Sequence, residues 1–318
     1  MIAAHSLMEA VQRYLQDRRQ LGFALISPAT ELYRFARFAE SRSHEGPITL
    51  ELQIAWAREH VRRSSEVTAP RRLEITRPFV AYYKQFEVAS EIPPTGLLGR
   101  GHRRLTPHIY TDDEIQALLD TAGGLTPRGS LRPLMYRTLF GLIVAAGLRL
   151  SEALQLKVGD VDLDEAAITV RQTKFNKSRC LPIAASVVQA LVRYRDCRDQ
   201  HVDPGEAAPF FASRDGGVLP KRTVENVFER MRPTLKWQNR GDHAHPRIHD
   251  LRHTFAVRRV RRWRETDVSL EHGMFWLCTY LGHAKISDTY WYLTGVPELM
   301  ELVGSKFEHF AGAGGRHE

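Results

Sequence analysis

Between Ile92 and Tyr110 the chain gathers Pro93, Pro94, Gly96, Gly99, Gly101 and Pro107, with Arg100, Arg103 and Arg104 among them. Proline removes a backbone donor and glycine raises the entropic cost of any regular conformation, so neither helix nor inner strand fits there. The 318 residues are therefore divided into two folding units rather than packed around one core. The expected boundaries are a first domain over 1–91, a linker over 92–110, a second domain over 111–310 and a flexible tail over 311–318. The linker's arginines suit a path along phosphates. A merely solvated linker is the plain alternative.

Upstream of the break, apolar residues recur at helical spacing and predict four short helices, a small all-α module. Leu7, Val11, Tyr14 and Leu15 form the first stripe, which ends near Gly22. Ser27 before Pro28 predicts the second start, with the serine as cap and the proline at the first helical position; Leu32, Phe35 and Phe38 continue it. Thr49 opens a third helix through Ile54, Trp56 and Val61, and Pro70 a fourth carrying Phe79, Val80 and Tyr83.

Downstream the pattern is mixed. Thr111 with Glu114 has the spacing of a capping box. Residues 131–148 read as a mostly apolar helix stopped near Gly147. Short strands are expected at 167–171 and 179–183, joined by a polar turn over 174–178. Further helices are predicted around 187–197, 223–231, 249–263, 271–281 and 297–310. The fold class is mainly α with a small antiparallel β-sheet.

Composition narrows the function classes. A hydrophobic fraction of 43% with 26% charge excludes wholesale disorder. No run approaches the roughly 18 apolar residues of a membrane span. Glu9 and Arg13 arrive before any apolar run, as expected of a protein that is not secreted. Cys180, Cys197 and Cys278 share no metal-ligand spacing and cannot all pair, which suits a reducing cytoplasm. Lys plus Arg at 45 against Asp plus Glu at 37 leaves +8. That balance points to a polyanionic partner.

Three stretches can carry chemistry. In residues 146–152, Gly147 can end one helix and Ser151 start the next, leaving Arg149 in the turn with Glu152 placed to orient it. A guanidinium held by a carboxylate is pre-organised to grip phosphate bidentately. In residues 249–253, His249 and Arg252 fall on one face near a helix N-terminus, where free N–H groups favour anions. Arg258, Arg259, Arg261, Arg262 and Arg264 continue that helix and suit DNA backbone better than catalysis. In residues 281–293, Leu-Gly-His283 precedes Thr-Tyr-Trp-Tyr292-Leu. A tyrosine can attack phosphorus, but its pKa near 10 demands help from cations or a base. Each stretch alone reads as easily as an ordinary surface turn, a solvated basic face or a core aromatic.

Their order is more specific than any one of them. Arginine, lysine, His-x-x-Arg, Gly-His and tyrosine, spread from Arg149 to Tyr292, resemble the tyrosine recombinase (phage integrase) family. "AAGLRLSEAL" resembles its first arginine box, "HDLRHTFA" its His-x-x-Arg box, and "LGH" with a tyrosine nine residues on its C-terminal box. The resemblance implies a helical core-binding domain and a catalytic domain that form a C-shaped clamp on duplex DNA. It implies that Arg149 and Arg252 clamp the phosphate, with Glu152 supporting Arg149. His249 accepts or orients the nucleophile's proton, His283 hydrogen-bonds the phosphate and Tyr292 is the nucleophile. Tyr290 and Tyr280 stand at the wrong offset. "TKFNKSRCLPI" resembles the family's lysine hairpin and implies Lys174, then Lys177, as acid toward the leaving 5′ oxygen, although Thr173 and Phe175 replace the usual glycines. Arg100, Arg103, Arg104, Lys177, Arg258, Arg261 and Arg262 are the expected DNA-binding residues.

The implied reaction breaks and rejoins specific sites through a 3′-phosphotyrosyl link, with no cofactor and no metal. The implied assembly is a homotetramer on two double-stranded DNA sites, monomeric or dimeric without DNA, with related recombinases as other partners. Residues 262–274 lengthen the interval from Arg252 to His283 beyond the Xer-type spacing, and "TYWYL" is closer to integrases of transposons and other mobile elements. The expected location is cytoplasmic, associated with the nucleoid. Three other readings stand beside this one. A type IB topoisomerase would share the chemistry but relax DNA. A rolling-circle nicking enzyme would use His243-Ala244-His245 as metal ligands, against which Pro246 interrupts both a strand and the 245–249–253 helical spacing. A DNA-binding accessory protein would lack a catalytic residue, and none is missing.

Overall fold

A computed structural model of the chain describes residues 6–59, 67–101, 104–171, 178–201, 205–213, 215–266 and 268–294. They fall into two compact units, Met1–Arg104 and Leu105–Glu318. The predicted helix over 297–310, the tail over 311–318 and the hairpin turn up to residue 177 lie outside the described residues.

The first unit holds α1 (Leu7–Gln20), α2 (Ile26–Ser41), α3 (Leu50–Arg58) and α4 (Thr68–Tyr83). Ser6 and Thr49 cap α1 and α3 by accepting from the amides of Glu9 and Leu52. Val11, Leu15, Phe35, Trp56, Phe79 and Val80 close one apolar core. Two starts differ from expectation. Ser27 lies inside α2, which begins a residue earlier behind Leu25 in the left-handed region, with no side-chain cap. The Ala29 amide donates to the Leu25 carbonyl at 2.9 Å, so helical bonding begins before Ser27. Likewise α4 begins at Thr68, so Pro70 sits within its first turn, where a missing N–H costs nothing.

The second unit holds α5 (Asp112–Gly123), α6 (Leu131–Ala146) and α7 (Leu150–Gln155), then β1 (Val161–Asp162), β2 (Ala167–Val170) and β3 (Arg179–Pro182). After these come α8 (Ala185–Asp199), α9 (Lys221–Leu235), α10 (Ile248–Glu265), α11 (Leu270–Leu281) and α12 (Ser287–Thr294). The Thr111–Glu114 capping box is formed in both directions. The sheet runs β1-β2-β3, antiparallel throughout, with Ile168 opposite Leu181. β1 is two residues long and carries no periodicity from which to predict it. α6 buries Leu139, Phe140, Leu142 and Ile143 and packs against α5, α8 and α10, as a helix apolar on most sides must. A second cluster joins Phe255, Val257 and Val260 of α10 to Met274, Leu277 and Leu281 of α11 and Tyr292 of α12. That cluster fixes the last helix, and with it Tyr292, against the His-x-x-Arg helix. Cys180, Cys197 and Cys278 are free thiols. No described helix is long and apolar enough to cross a membrane.

Candidate active site

Arg149 is placed by two helix ends. Gly147 closes α6 at φ 62°, where a Cβ would stand 2.4 Å from the Phe255 ring, so only glycine fits. Arg149 itself, not Ser151, is then the N-cap of α7. Glu152 accepts from the Arg149 amide at 2.9 Å and from its Nη1 at 2.6 Å. The same buried carboxylate takes Arg179 Nη2 at 2.9 Å and Nη1 at 3.3 Å, with Arg252 Nη1 at 3.6 Å. Burial pushes the Glu152 carboxyl up, but the Arg179 hydrogen bond and charge, the Arg149 amide and Arg252 together outweigh it. The group titrates below the usual carboxylate value.

Arg252 is 1% exposed. Its Nη1 donates to the Gly147 carbonyl at 2.7 Å, and its Nη2 to the Leu281 carbonyl at 2.7 Å, so one guanidinium ties together the ends of α6 and α11. Nη2 also lies 3.1 Å from Nε2 of His283. A guanidinium only donates, so Nε2 accepts and the imidazole proton resides on Nδ1. Nδ1 in turn donates to Oγ1 of the buried Thr289 at 2.8 Å. The Tyr292 hydroxyl is 3.5 Å from the same Nε2, and the Tyr292 ring stacks on His283 with centroids 5.7 Å apart.

Tyr292 is buried, whereas Tyr290 is exposed and Tyr280 stacks on Phe255. His253 stands edge-on to both Tyr292 and His249, with centroids 5.0 and 4.8 Å away. His249 reaches solvent, yet the atoms crowding its ring and then Arg252, Arg247 and Arg149 push its pKa down to about 4. Burial, followed by Arg252 and Arg149, takes His283 to about 4 as well. Both imidazoles are neutral at pH 7. A cleft of about 410 Å³ opens beside Arg149 and His249, lined also by Lys221, Arg222, Arg232 and Arg247. Glu225 and Glu229 line it too and pair with Lys221 and Arg222, so basic groups remain in excess.

The structure therefore gathers Arg149, Glu152, Arg252, His283 and Tyr292 into one contiguous group, with His249 at its rim. Lys174, Lys177 and Arg103 lie outside the described residues. Arg100, Arg104, Arg261 and Arg262 are at the surface. Arg258 bonds to Asp112 at 2.7 Å and to the Tyr110 carbonyl at 3.3 Å. Arg179, Thr289 and His253 belong to the group and escape sequence reasoning. Arg179 sits inside the stretch resembling the lysine hairpin but carries no role there, and a threonine or histidine inside a motif reads as filler.

A tyrosine hydroxyl thus stands beside an imidazole that a buried arginine holds. The profile of the phage integrase family matches residues 109–296. The chain belongs to the phage integrase family. This family member is 40% identical over 304 residues to an integrase/recombinase, y4rB, of Sinorhizobium fredii, covering 94% of this chain and 96% of that protein. It is 27% identical to the tyrosine recombinase XerC of Chromobacterium violaceum over 88% of each chain. In fold it is similar to the Tn1549 transposon integrase in complex with transposon right end DNA. There the TM-score is 0.69 at 18% identity, over 96% of this chain and 100% of that one.

Proposed function

We propose that this chain is a site-specific tyrosine recombinase that cleaves and rejoins double-stranded DNA, serving a mobile element. The carrying observation is the Arg252–His283–Tyr292 chain of contacts, 3.1 and 3.5 Å long. The Tyr292 hydroxyl oxygen attacks the scissile phosphorus in line. The new O–P bond forms as the P–O5′ bond breaks, leaving a 3′-phosphotyrosine and a 5′-hydroxyl. Arg149 and Arg252 bind the non-bridging oxygens and stabilise the charge that grows in the transition state. Glu152 orients Arg149. The hydroxyl proton passes to a neutral imidazole. His283 Nε2 faces the hydroxyl, and His249 is the acceptor that the family resemblance implies. Once protonated, His283 can donate to the phosphate. Lys174, with Lys177 as second choice, supplies the proton to the leaving 5′ oxygen.

Rejoining is the reverse attack by a partner strand's 5′-hydroxyl. The number of phosphoester bonds is conserved, so no nucleotide triphosphate is consumed. Four protomers on two sites complete the exchange, and the fold shared with a transposon integrase supports the mobile-element role. The test is a nicked suicide substrate, which loses the fragment bearing the 5′-hydroxyl and so traps the adduct. It should trap at Tyr292, persist in excess chelator and vanish in Tyr292→Phe with binding intact. An adduct at Tyr290 overturns the assignment.

A further inference from the structure

Arg179 falls within the stretch that resembles the family's lysine hairpin, where the resemblance gives it no role. Its fork meets Glu152 on both oxygens, Nη2 to Oε2 at 2.9 Å and Nη1 to Oε1 at 3.3 Å. Its Nε donates to the Tyr280 carbonyl at 2.7 Å, in the last turn of α11. The guanidinium also lies close against the turn that follows. A Cβ on Gly282, whose φ is +66°, would stand 2.8 Å from Arg179 Nη1. One side chain of β3, 11% exposed, thus spans the distance between the carboxylate that orients Arg149 and the turn that presents His283. All of the guanidinium's described contacts are internal, and it is too covered to serve as a surface phosphate contact.

We propose that Arg179 is a positioning residue that sets the spacing between the Arg149–Glu152 pair and His283, and so assembles the phosphate clamp before DNA arrives. The physical argument rests on sharing. Glu152 has two oxygens and faces three guanidiniums, those of Arg149, Arg179 and Arg252. With Arg179 bonded to both oxygens, the carboxylate is held on the β3 side. Arg149 keeps one side-chain bond to it, and Arg252, at 3.6 Å, stays engaged with the Gly147 and Leu281 carbonyls. Without Arg179 the carboxylate is free to turn toward Arg252 and neutralise the charge the phosphate needs, and the His283 turn loses its outer brace. A lysine keeps the charge but offers neither the planar fork nor the third donor on Nε.

The inference rests on the recombinase reading given above, and the experiment separates the two. Site binding and single-turnover formation of the covalent complex are measured for the full chain and for Arg179→Gln, Arg179→Lys, Glu152→Gln and the double variant Arg179→Gln with Glu152→Gln. Arg179→Gln should bind its site within about threefold of the parent while cleaving on the order of 10²-fold slower, the scale for losing one pre-organised donor. Arg179→Lys should recover part of that rate. The double variant should be no slower than the slower single one, because both act through the same carboxylate. Multiplicative losses in the double variant, or cleavage at the parent rate in Arg179→Gln or Arg179→Lys, would overturn the proposal. If Arg179→Gln does not fold, Arg179→Lys alone decides it, through the split between binding and rate. Absence of any covalent complex in the parent chain would instead count against the recombinase reading itself.

Discussion

Arg252 Nη2 lies 3.1 Å from His283 Nε2, and that contact fixes which nitrogen of the imidazole carries the proton. The lone pair on Nε2 is left facing Arg252 and the Tyr292 hydroxyl, while Nδ1–H is committed to Thr289. The tautomer depends on both partners. Thr289→Val removes the acceptor for Nδ1–H and leaves that donor buried without a partner. Cleavage should fall about tenfold, the value of one hydrogen bond of roughly 1.4 kcal/mol, with site binding unchanged. Thr289→Ser should restore it. Single-turnover assays on both variants decide the matter, and equal rates for Val and Ser would remove Thr289 from the site.

The histidines give stability a definite pH dependence. Folded values of about 4 for His249 and His283 and about 2 for His253 lie below the ordinary 6.5. For His253 the first cause is burial, with His249, Arg247 and Arg252 adding to it. Below pH 6.5 the unfolded chain binds protons that the fold refuses. Stability is therefore full above 6.5 and declines as pH falls through about 4. Calorimetric melting between pH 7.5 and 4 should show Tm dropping on acidification. His253→Leu should melt with a shallower slope, and an unchanged slope would mean that His253 is not held neutral.

Gly147 should tolerate no side chain. Gly147→Ala meets two penalties, a left-handed φ and a Cβ 2.4 Å from Phe255, with a combined cost of about 2–5 kcal/mol. Urea unfolding measures it. Adding Phe255→Leu should return only the steric part, so full recovery in the double variant would show that the backbone angle carries no strain.

Binding and chemistry should separate along α10. Arg262 is on the surface, and Arg262→Ala should flatten the salt dependence of DNA binding by roughly one unit of slope. Arg258→Ala should change that slope less, because its guanidinium already serves Asp112 and the Tyr110 carbonyl. Arg252→Ala should bind nearly normally yet cleave on the order of 10²–10³ more slowly. Fluorescence anisotropy across a salt series, paired with cleavage at saturation, reads all three. Parent-rate cleavage by Arg252→Ala would remove it from the phosphate clamp.

Local features were legible from residues alone because their physics spans three or four positions. The Thr49 cap, the Thr111–Glu114 box, the glycine stop at 147 and the Arg149–Glu152 pair each join neighbours on one helix end. The box order was equally legible, since it is a property of the chain as written. The start of α2 was not. The Ala29 amide already bonds the Leu25 carbonyl, so Ser27 lies within the helix and does not cap it. What bonds Arg252 and Arg179 was also beyond sequence. Arg252 reaches a carbonyl 105 residues away, and Arg179 one 101 residues away. Contacts of that span depend on how α6, β3, α10 and α11 pack. Sequence determined which chemical groups the protein carries and in what order. Only the packed structure decided that one carboxylate would be shared by three arginines and that the Tyr292 hydroxyl would stand beside Nε2 of His283.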